Sequence, residues 1–513
     1  SRTIRPSEGN KMRQLIHNGV MLPPAYEVKG LKVKLRGTPL KPTPLQEEML
    51  FKWCQKIGTP YVEDPVFIRN FFTDFAKALG IDEEIDPEDF DFSEIVAYIE
   101  KERAKKLAMA SEAKKKLAAE RKAVREVNKA KYGYAFVDGQ KIELSNYMME
   151  PAAIFMGRGK HPLRGRWKAA AGIEAVTLNL SPDAPRPPGN WKEILWRPNE
   201  MWIAKWDDPL RGVEKYVWFH ESSVIKQNRE REKFELANQL ERNIDKVRKY
   251  IESNLTTQDE KHRKIATVAY LIEALKIRVG DEKDVKEEAD TIGATTLRPE
   301  HIKFNSNGTV HFNFLGKDSV RFKKSVELPL PVISNLKTFA KNTRSEIFSG
   351  ISSDHVRDFL SEAMPGLSPK VFRTYYATKV VHEYLQKNSV DPEASDELKK
   401  RIATLANLQA AVLCNHQKKP PKNWERTYQK RLERLRSLKG KQTRRVAETR
   451  KNIKIKLEMM RETRQWNLGT SLKNYISPTV FKEWGEKVNF DWKKYYPKAL
   501  QKKFSWLDTT QNV

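Results

Sequence analysis

The sequence contains only two cysteines, Cys54 and Cys414, in 513 residues. They lie far apart and neither belongs to a C-x-x-C pair, so the sequence offers neither a disulfide framework nor a thiolate zinc site. No apolar run approaches the ~20 residues that span a bilayer, and the amino terminus has no apolar signal segment. We therefore expect a soluble intracellular protein without a membrane partner.

The sequence also lacks the phosphate-binding pattern G-x-x-x-x-G-K-[ST], so nucleotide-driven chemistry has no support, and we predict no cofactor and no metal. Negative charge is outweighed by positive charge. The chain has 95 Lys and Arg against 67 Asp and Glu, which gives a formal net charge of +28. Such an excess predicts a polyanionic partner, and nucleic acid fits because each bound cation releases counterions from the phosphate backbone. A merely basic soluble protein is the alternative.

Composition and periodicity divide the chain into segments of different character. Proline-rich short apolar runs come first, then a charged Ala/Lys/Glu/Arg stretch that predicts helix, and then alternating runs that predict strands. Helical periodicity returns beyond residue 226 and encloses one hairpin candidate, TVHFNFLGKDSVRF. The predicted domains are 1–225, with charged helices at about 93–131, 226–420, a basic helical hairpin at 421–466, and 467–513.

Two arginines stand out because apolar residues surround them. Arg278 follows an apolar helical run beside Gly280, and Arg373 lies in KVFRTYYATK. The planar guanidinium suits bidentate phosphate binding, although a structural salt bridge would explain either arginine equally well. The glycine-flanked Arg158 in GRGKHP could also approach a phosphate, but a basic glycine-rich loop alone is a weak signal.

Three further residues could take part in phosphodiester chemistry, which needs a nucleophile, cations and an acid. Lys317 stands at the predicted hairpin tip, and His416 follows an apolar run in VLCNHQKKPPK. Tyr475, in GTSLKNYISP, could act as the nucleophile if cations surround it. Each has a plain alternative: a solvated lysine, a structural histidine, and one ordinary tyrosine among sixteen.

Several segments resemble, in their residues and in their order, those of the eukaryotic-type nuclear type IB DNA topoisomerase family. The matching segments are GVMLPPAYE, DPVFIRNFFTDF, GRGKHP, LNLSPDAPRPPGNWKEI, AYLIEALKIRVGDEK, EEADTIGATTLRPEHI, FNFLGKDSVRF, GLSPKVFRTYYATK, LCNHQKKPPK and GTSLKNYISP. They follow the family's order through nearly the whole chain, and the later ones are long and specific.

The resemblance implies a catalytic role for five residues. Tyr475 would be the nucleophile that holds the 3′ phosphate, and Lys317 would protonate the departing 5′ oxygen. Arg278, Arg373 and His416 would hold the free oxygens of the scissile phosphate. The broken strand could then rotate about its partner and be resealed without ATP, because one phosphodiester replaces another of similar energy.

The resemblance also implies the fold, the partners and the location. The fold class would be α+β multidomain, a bilobed DNA clamp in which a mixed α/β amino-terminal lobe precedes a mostly helical catalytic lobe related to tyrosine recombinases. A helical-hairpin linker and a small helical carboxy-terminal domain would follow. A nuclear monomer would act on supercoiled duplex DNA, and camptothecin-like poisons would stack at the nick. The implied DNA-contacting residues are Arg158, His161, Lys226, Lys283, Asp318 and Asn474.

The sequence departs from the family pattern near the predicted site. Ser471-Leu472-Lys473 replaces the usual Ser-Lys-Leu, which predicts that the lysine occupies a different face. Met156 replaces a usual arginine, Asp281 a usual asparagine and Tyr376 another asparagine, and these changes could alter DNA affinity or poison sensitivity. The hairpin linker is also shorter than in animal enzymes.

Two other classes fit parts of the pattern. A tyrosine recombinase uses the same residue types, but it typically has a His-x-x-Arg pair where this chain has Lys370-Val371-Phe372-Arg373, and it lacks the long amino-terminal lobe. A non-enzymatic DNA clamp with a decayed pocket is the third class. All five matching positions are intact, which argues against decay.

Overall fold

A computed structural model describes residues 11–281, 290–341, 343, 345–440 and 443–509. The chain folds into two compact units, of which the first ends at Lys226 and the second begins at Gln227. Sheets characterise the first unit and helices dominate the second, so the predicted α+β multidomain class is confirmed. The finer division into four domains stays a prediction.

The first unit contains short strands in four sheets and four helices. Its strands are β1 Leu15–His17, β2 Val33–Leu35, β3 Thr38–Leu40, β4 Phe90–Asp91, β5 Tyr134–Val137, β6 Gln140–Glu143, β7 Ala153–Ile154, β8 Trp167–Lys168, β9 Thr177–Asn179, β10 Glu193–Leu195, β11 Trp202–Asp207 and β12 Glu214–Trp218. Its helices are α1 Pro44–Cys54, α2 Pro65–Leu79, α3 Ser93–Ala108 and α4 Ser111–Tyr132. The strand orders are β1-β5-β6, β10-β9-β11-β12, β3-β2-β4 and β7-β8.

Helix α2 shows how local sequence builds the first unit. Asp64 caps its amino end by accepting hydrogen bonds from the backbone of Val66 and Phe67, and a proline occupies the first turn. Gly80 ends it in the left-handed conformation, with φ 71°. The apolar face is aromatic and buried, and Phe71 stacks on Trp53 with ring centroids 4.8 Å apart. Aromatic packing thus supplies one core of this unit.

The charged stretch predicted as helix at about 93–131 forms two helices, α3 and α4. They are interrupted at Met109 and Ala110, where the backbone is extended. Helix α4 buries none of its residues. Intrinsic helix propensity therefore stabilises it more than packing does. One ion pair, from Lys129 to Glu143 at 2.6 Å, joins its last turn to strand β6.

The second unit is mostly helical. Its helices are α5 Val224–Ser253, which begins three residues before the division, α6 Glu260–Leu275, α7 Leu330–Lys341, α8 Ser353–Ala363, α9 Pro369–Lys387, α10 Asp396–Leu413, α11 Trp424–Ser437, α12 Arg444–Glu462, α13 Leu468–Asn474, α14 Pro478–Lys487, α15 Lys498–Lys503 and α16 Trp506–Thr509. Its strands are β13 Ile302–Phe304, β14 Thr309–Gly316 and β15 Val320–Glu327, in that order in one antiparallel sheet.

Two local predictions are confirmed in this unit, the hairpin candidate and the helical character of the basic segment 421–466. The hairpin candidate is β14 and β15, paired from Thr309 with Glu327 to Gly316 with Val320. The basic segment predicted as a helical hairpin contains helices α11 and α12. The carboxy-terminal aromatics mainly form core, since Trp492, Tyr496 and Phe504 are buried.

Candidate active site

One pocket of the second unit collects four of the five predicted catalytic residues. Arg278, Lys317, Arg373 and His416 all line it, and its volume is about 140 Å³. Cations thus dominate its polar lining, which favours an anion of phosphate size. The fifth residue, Tyr475, lies behind this lining and contacts it through Arg373.

Arg373, on helix α9, is buried and contacts both Tyr475 and His416 through its guanidinium. Nη1 donates to Tyr475 Oη at 3.0 Å, and Nη2 donates to the backbone oxygen of Cys414 at 2.8 Å. Nη2 also lies 3.1 Å from His416 Nε2. Nε is buried and has no hydrogen-bond partner among the described residues. Of the guanidinium nitrogens, Nε is thus the one that makes no hydrogen bond within the described part of the chain, and both Nη atoms are already engaged.

His416 follows helix α10, where Asn415 turns the chain in a left-handed conformation with φ 54°. Burial, then the charges of Arg373 and Arg278, lower the pKa of His416 to about 3. Its imidazole is therefore neutral at pH 7. Nδ1 lies 2.8 Å from the buried hydroxyl of Ser471, which fixes the rotation of the ring.

Tyr475 caps the carboxyl end of α13 and is only 3% exposed. Its ring lies 4.5 Å from the Arg373 guanidinium and 5.0 Å from the imidazole of His416, measured between centres. Its backbone nitrogen donates to Ser471 O at 2.9 Å. The phenol oxygen thus accepts a hydrogen bond from a cation, and its nucleophilic atom is held beside the cationic pocket.

Arg278 and Lys317 differ from these three residues because their side chains are exposed. Arg278 lies on a turn that is held where Gly280 meets Gly293. A Cβ on Gly280, at φ 83°, would lie 2.7 Å from the Cα of Gly293. Lys317 opens the hairpin turn, and Asp318 follows with φ 63°. The close approach at Gly280 and the hairpin turn at Asp318 thus hold the segments from which these two exposed cations reach the pocket.

The remaining predicted DNA-contacting residues have different settings. In the first unit, Arg158 is exposed between two glycines with positive φ, whereas His161 is buried and its ring packs edge-on against Phe155. Lys226 is half-buried, 6.0 Å from the ring of Trp218.

In the second unit, Asp318 lines the pocket and Asn474 is half-buried beside Tyr475. Lys283 lies outside the described residues. The structure itself tests none of these assignments, so they stay predictions.

The departures from the family pattern have local explanations. Lys473 is exposed while Leu472 is buried, so the exchanged order keeps an apolar side chain inward. Tyr376 Oη bonds to Glu273 and accepts from Arg248 at 2.7 Å. Asp281 accepts from the backbone of Ser353 at 3.1 Å and so caps α8 from outside.

Met156 is half-buried against the aromatic core of the first unit.

Sequence reasoning missed two residues of the site. Ser471 orients His416, and Lys276 lines the pocket with its ammonium 3.7 Å from the centre of the Tyr376 ring. The spacing of Ser471, four residues before Tyr475, places both on one helical face and was the available signal. Nothing comparable marked Lys276.

Among the described residues, no helix combines the length and apolarity that crossing a bilayer requires. In the same ranges, no three His, Cys, Asp or Glu side chains are grouped so that they could hold a metal ion.

Family models match the chain in three consecutive parts. The DNA binding fragment of eukaryotic DNA topoisomerase I matches residues 10–219, its catalytic core matches 222–450, and a C-terminal topoisomerase domain matches 447–512. The pocket residues fall in the second and third of these matches. Together the three matches place the chain in the class of the DNA topoisomerases.

Curated relatives agree. DNA topoisomerase 1 alpha of Arabidopsis thaliana is 32% identical over 98% of this chain and 59% of its own length. DNA topoisomerase 1 of Rattus norvegicus is 30% identical over 99% of this chain and 72% of its own. The mitochondrial DNA topoisomerase I of Pan troglodytes is 30% identical over 97% and 90%. The chain belongs to the eukaryotic DNA topoisomerase I family, as predicted, and spans about three fifths of the Arabidopsis relative.

Proposed function

We propose that this chain is a type IB DNA topoisomerase that relaxes positive and negative supercoils by cutting one strand, allowing controlled rotation and resealing the strand. The observation that carries the proposal is the hydrogen bond from Arg373 to Tyr475 Oη, in contact with His416 and beside a pocket lined by Arg278 and Lys317. Cations, a phenol and an exposed lysine are the groups that phosphodiester transfer needs.

In the proposed reaction, Tyr475 Oη attacks the scissile phosphorus and loses its proton to water. The bond to the 5′ oxygen breaks, and Lys317 gives that oxygen a proton. The 3′ phosphate stays on the tyrosine while Arg278, Arg373 and His416 hold its free oxygens. Attack by the 5′ hydroxyl reverses each step, so the proposed reaction requires neither ATP nor a metal ion.

The rest of the chain serves DNA binding in this proposal. The amino-terminal and catalytic lobes form a clamp on duplex DNA, and the helical catalytic lobe is related to tyrosine recombinases. The hairpin of α11 and α12 is the linker that slows rotation. The net charge of +28 supports binding to the phosphate backbone, and Arg158, His161, Lys226, Lys283, Asp318 and Asn474 are the proposed contacts.

We further propose that the protein acts as a monomer in the nucleus and that flat, camptothecin-like poisons stack at the nick. The nuclear location rests on the family resemblance of the sequence motifs, and one of the relatives named above is mitochondrial. Sedimentation of the purified chain with and without a short duplex tests the monomer. Trapping of the covalent adduct by camptothecin tests the poison site.

Relaxation of plasmid DNA tests the activity. Purified protein at low salt, in EDTA and without ATP, is expected to relax both positively and negatively supercoiled plasmid. Plasmid that stays supercoiled with correctly folded protein would refute the enzymatic proposal. Binding to DNA without relaxation would favour the non-enzymatic clamp.

Replacement of the nucleophile tests its identity. Tyr475→Phe is expected to bind duplex DNA as wild type does but to form no covalent adduct on a suicide substrate. Tyr428→Phe, on helix α11 and half-buried, serves as the matched control and should form the adduct normally. An adduct that persists in Tyr475→Phe would move the role to another tyrosine.

A substrate with a 5′ bridging sulfur tests the acid. A thiolate leaves without protonation, so Lys317→Ala should cleave this substrate nearly as fast as wild type while it cleaves normal DNA far more slowly. Equal losses on both substrates would reject Lys317 as the acid.

A further inference from the structure

A buried ionic cluster lies beside the proposed nucleophile but outside the pocket. Glu230 and Lys233, one turn apart on α5, are joined by 2.6 Å between Nζ and Oε2. Lys503, at the end of α15, reaches the same carboxylate oxygen at 3.2 Å. Their side chains are 20%, 14% and 3% exposed, respectively. We call these three residues the Glu230 triad.

The two lysines of the Glu230 triad also donate to the backbone that precedes Tyr475. Lys503 Nζ lies 3.2 Å from Lys473 O, and Lys233 Nζ lies 3.2 Å from Asn474 O. These oxygens belong to the last two residues of α13, where a helix leaves its carbonyls without intrahelical partners. Ammonium groups are favoured at this negative end of a helix.

The placement of Lys503 is fixed by further contacts. Gln227, one turn before Glu230 on α5, donates from Nε2 to Lys502 O at 3.1 Å and to Ser505 Oγ at 2.8 Å. The end of α15 is therefore attached to α5 on both sides of the lysine. This attachment lets α5 define the position of the α13 terminus through Lys503.

Burying the charges of the Glu230 triad costs solvation free energy. Two ammonium groups share one carboxylate in a largely buried site, and burial lowers the pKa of Lys233 to about 8. Apolar side chains of similar size commonly stabilise a fold as well as or better than such a cluster, so fold stability alone does not account for it. Apolar residues could not donate the hydrogen bonds that the two lysines make to two consecutive carbonyl oxygens.

We propose that Glu230, Lys233 and Lys503 are positioning residues that hold the backbone of residues 473 and 474, so that Tyr475 Oη stays aligned with Arg373 during cleavage and resealing. This inference depends on the proposed function of Tyr475. The three residues touch no reacting atom and act through the end of α13. A displacement of the attacking oxygen by about 1 Å is enough to slow a reaction by up to ~100-fold.

Lys503→Met tests the inference because methionine fills the space without donating. Single-turnover cleavage of a suicide substrate is expected to slow by about 10- to 100-fold, and religation of the isolated adduct should slow to a similar extent. The dissociation constant for duplex DNA should change less than about threefold, since the lysine is buried. The 5′ bridging sulfur should not rescue cleavage, which distinguishes a misplaced nucleophile from a missing acid.

Two further variants make the result decisive. Lys502→Met, adjacent and exposed, is the matched control and should cleave at the wild-type rate. The double variant Glu230→Gln with Lys503→Met also removes the carboxylate, which in Lys503→Met keeps only Lys233 as its partner. It should cleave no more slowly than Lys503→Met alone, because the residues act as one unit.

The inference fails if folded Lys503→Met cleaves at the wild-type rate, or if both it and the double variant are unfolded at the assay temperature. The second result would make the Glu230 triad a stabiliser of the fold. Wild-type protein that forms no adduct would instead refute the proposed function itself, so the two failures are distinguishable.

Discussion

Replacing Ser471 with alanine removes the hydroxyl that orients His416. A guanidinium only donates, so His416 Nε2, at 3.1 Å from Arg373, must accept. Because the imidazole is neutral, with its pKa lowered to about 3 by burial and by the two arginines, the proton lies on Nδ1. Nδ1 then donates to Ser471 Oγ at 2.8 Å.

Binding of a phosphate reverses these roles in the proposed mechanism. To donate to a phosphate oxygen, His416 Nε2 must carry the proton, and Nδ1 must become an acceptor. The hydroxyl of Ser471 satisfies both tautomers because it can rotate to accept or to donate. An alanine satisfies neither.

The expected magnitude follows from the burial of both partners. A buried nitrogen without a partner costs about 1–3 kcal/mol. The part of that cost that arises only in the transition state slows cleavage, by about 5- to 150-fold if it takes the whole range, since each 1.36 kcal/mol is tenfold. The part that the DNA-free protein already bears lowers its unfolding free energy instead.

Single-turnover cleavage and thermal unfolding of the same samples measure both effects. Ser477→Ala is the matched control: its hydroxyl is also buried, pairs with Thr479 at 2.7 Å and does not contact His416. Ser471→Ala that cleaves within twofold of wild type would refute the tautomer argument. Equal losses in both serine variants would show a general effect of removing a buried hydroxyl.

Two other predictions concern stability. Burial lowers the pKa of His17 to about 4, whereas the unfolded state takes up this proton below about pH 6.5, so about 2 kcal/mol of stability is lost as pH falls from 7 to 5. His17→Gln should therefore reduce the difference between the urea midpoints measured at these two pH values. An unchanged difference would exclude His17 as the cause. Gly280→Ala should lower the unfolding free energy by about 2–4 kcal/mol and slow cleavage, because its Cβ would meet Gly293 at positive φ. Gly308→Ala, also at positive φ but in open space, should show only the smaller conformational cost in the same denaturant titration.

The elements that the sequence predicted well are those with local signals. The hairpin around Lys317 alternates apolar and polar residues about a glycine turn, and helices α11 and α12 carry regular apolar stripes. The interruption at Met109 and Ala110 was not predicted, because neither residue is a helix breaker. Local pattern specifies where elements form more reliably than where they end.

The sequence named five candidate catalytic residues but said nothing of their arrangement. The five proposed catalytic residues were named from the family pattern, yet nothing in the sequence indicated that Arg373 would donate to Tyr475 or that His416 would meet Ser471. The Glu230 triad joins residues about 270 positions apart in the chain. Such contacts depend on how helices pack, and periodicity carries no information about which helices become neighbours.

The burial of Tyr475 has a consequence for chemical labelling. Nitration, iodination and phosphorylation of a tyrosine all need access to its ring or hydroxyl, and 3% exposure denies that access in the DNA-free protein. Other tyrosines of the chain, such as Tyr61 at 44% exposure, would react first. The residue proposed to cut DNA is therefore also among those best protected from damage while no DNA is bound.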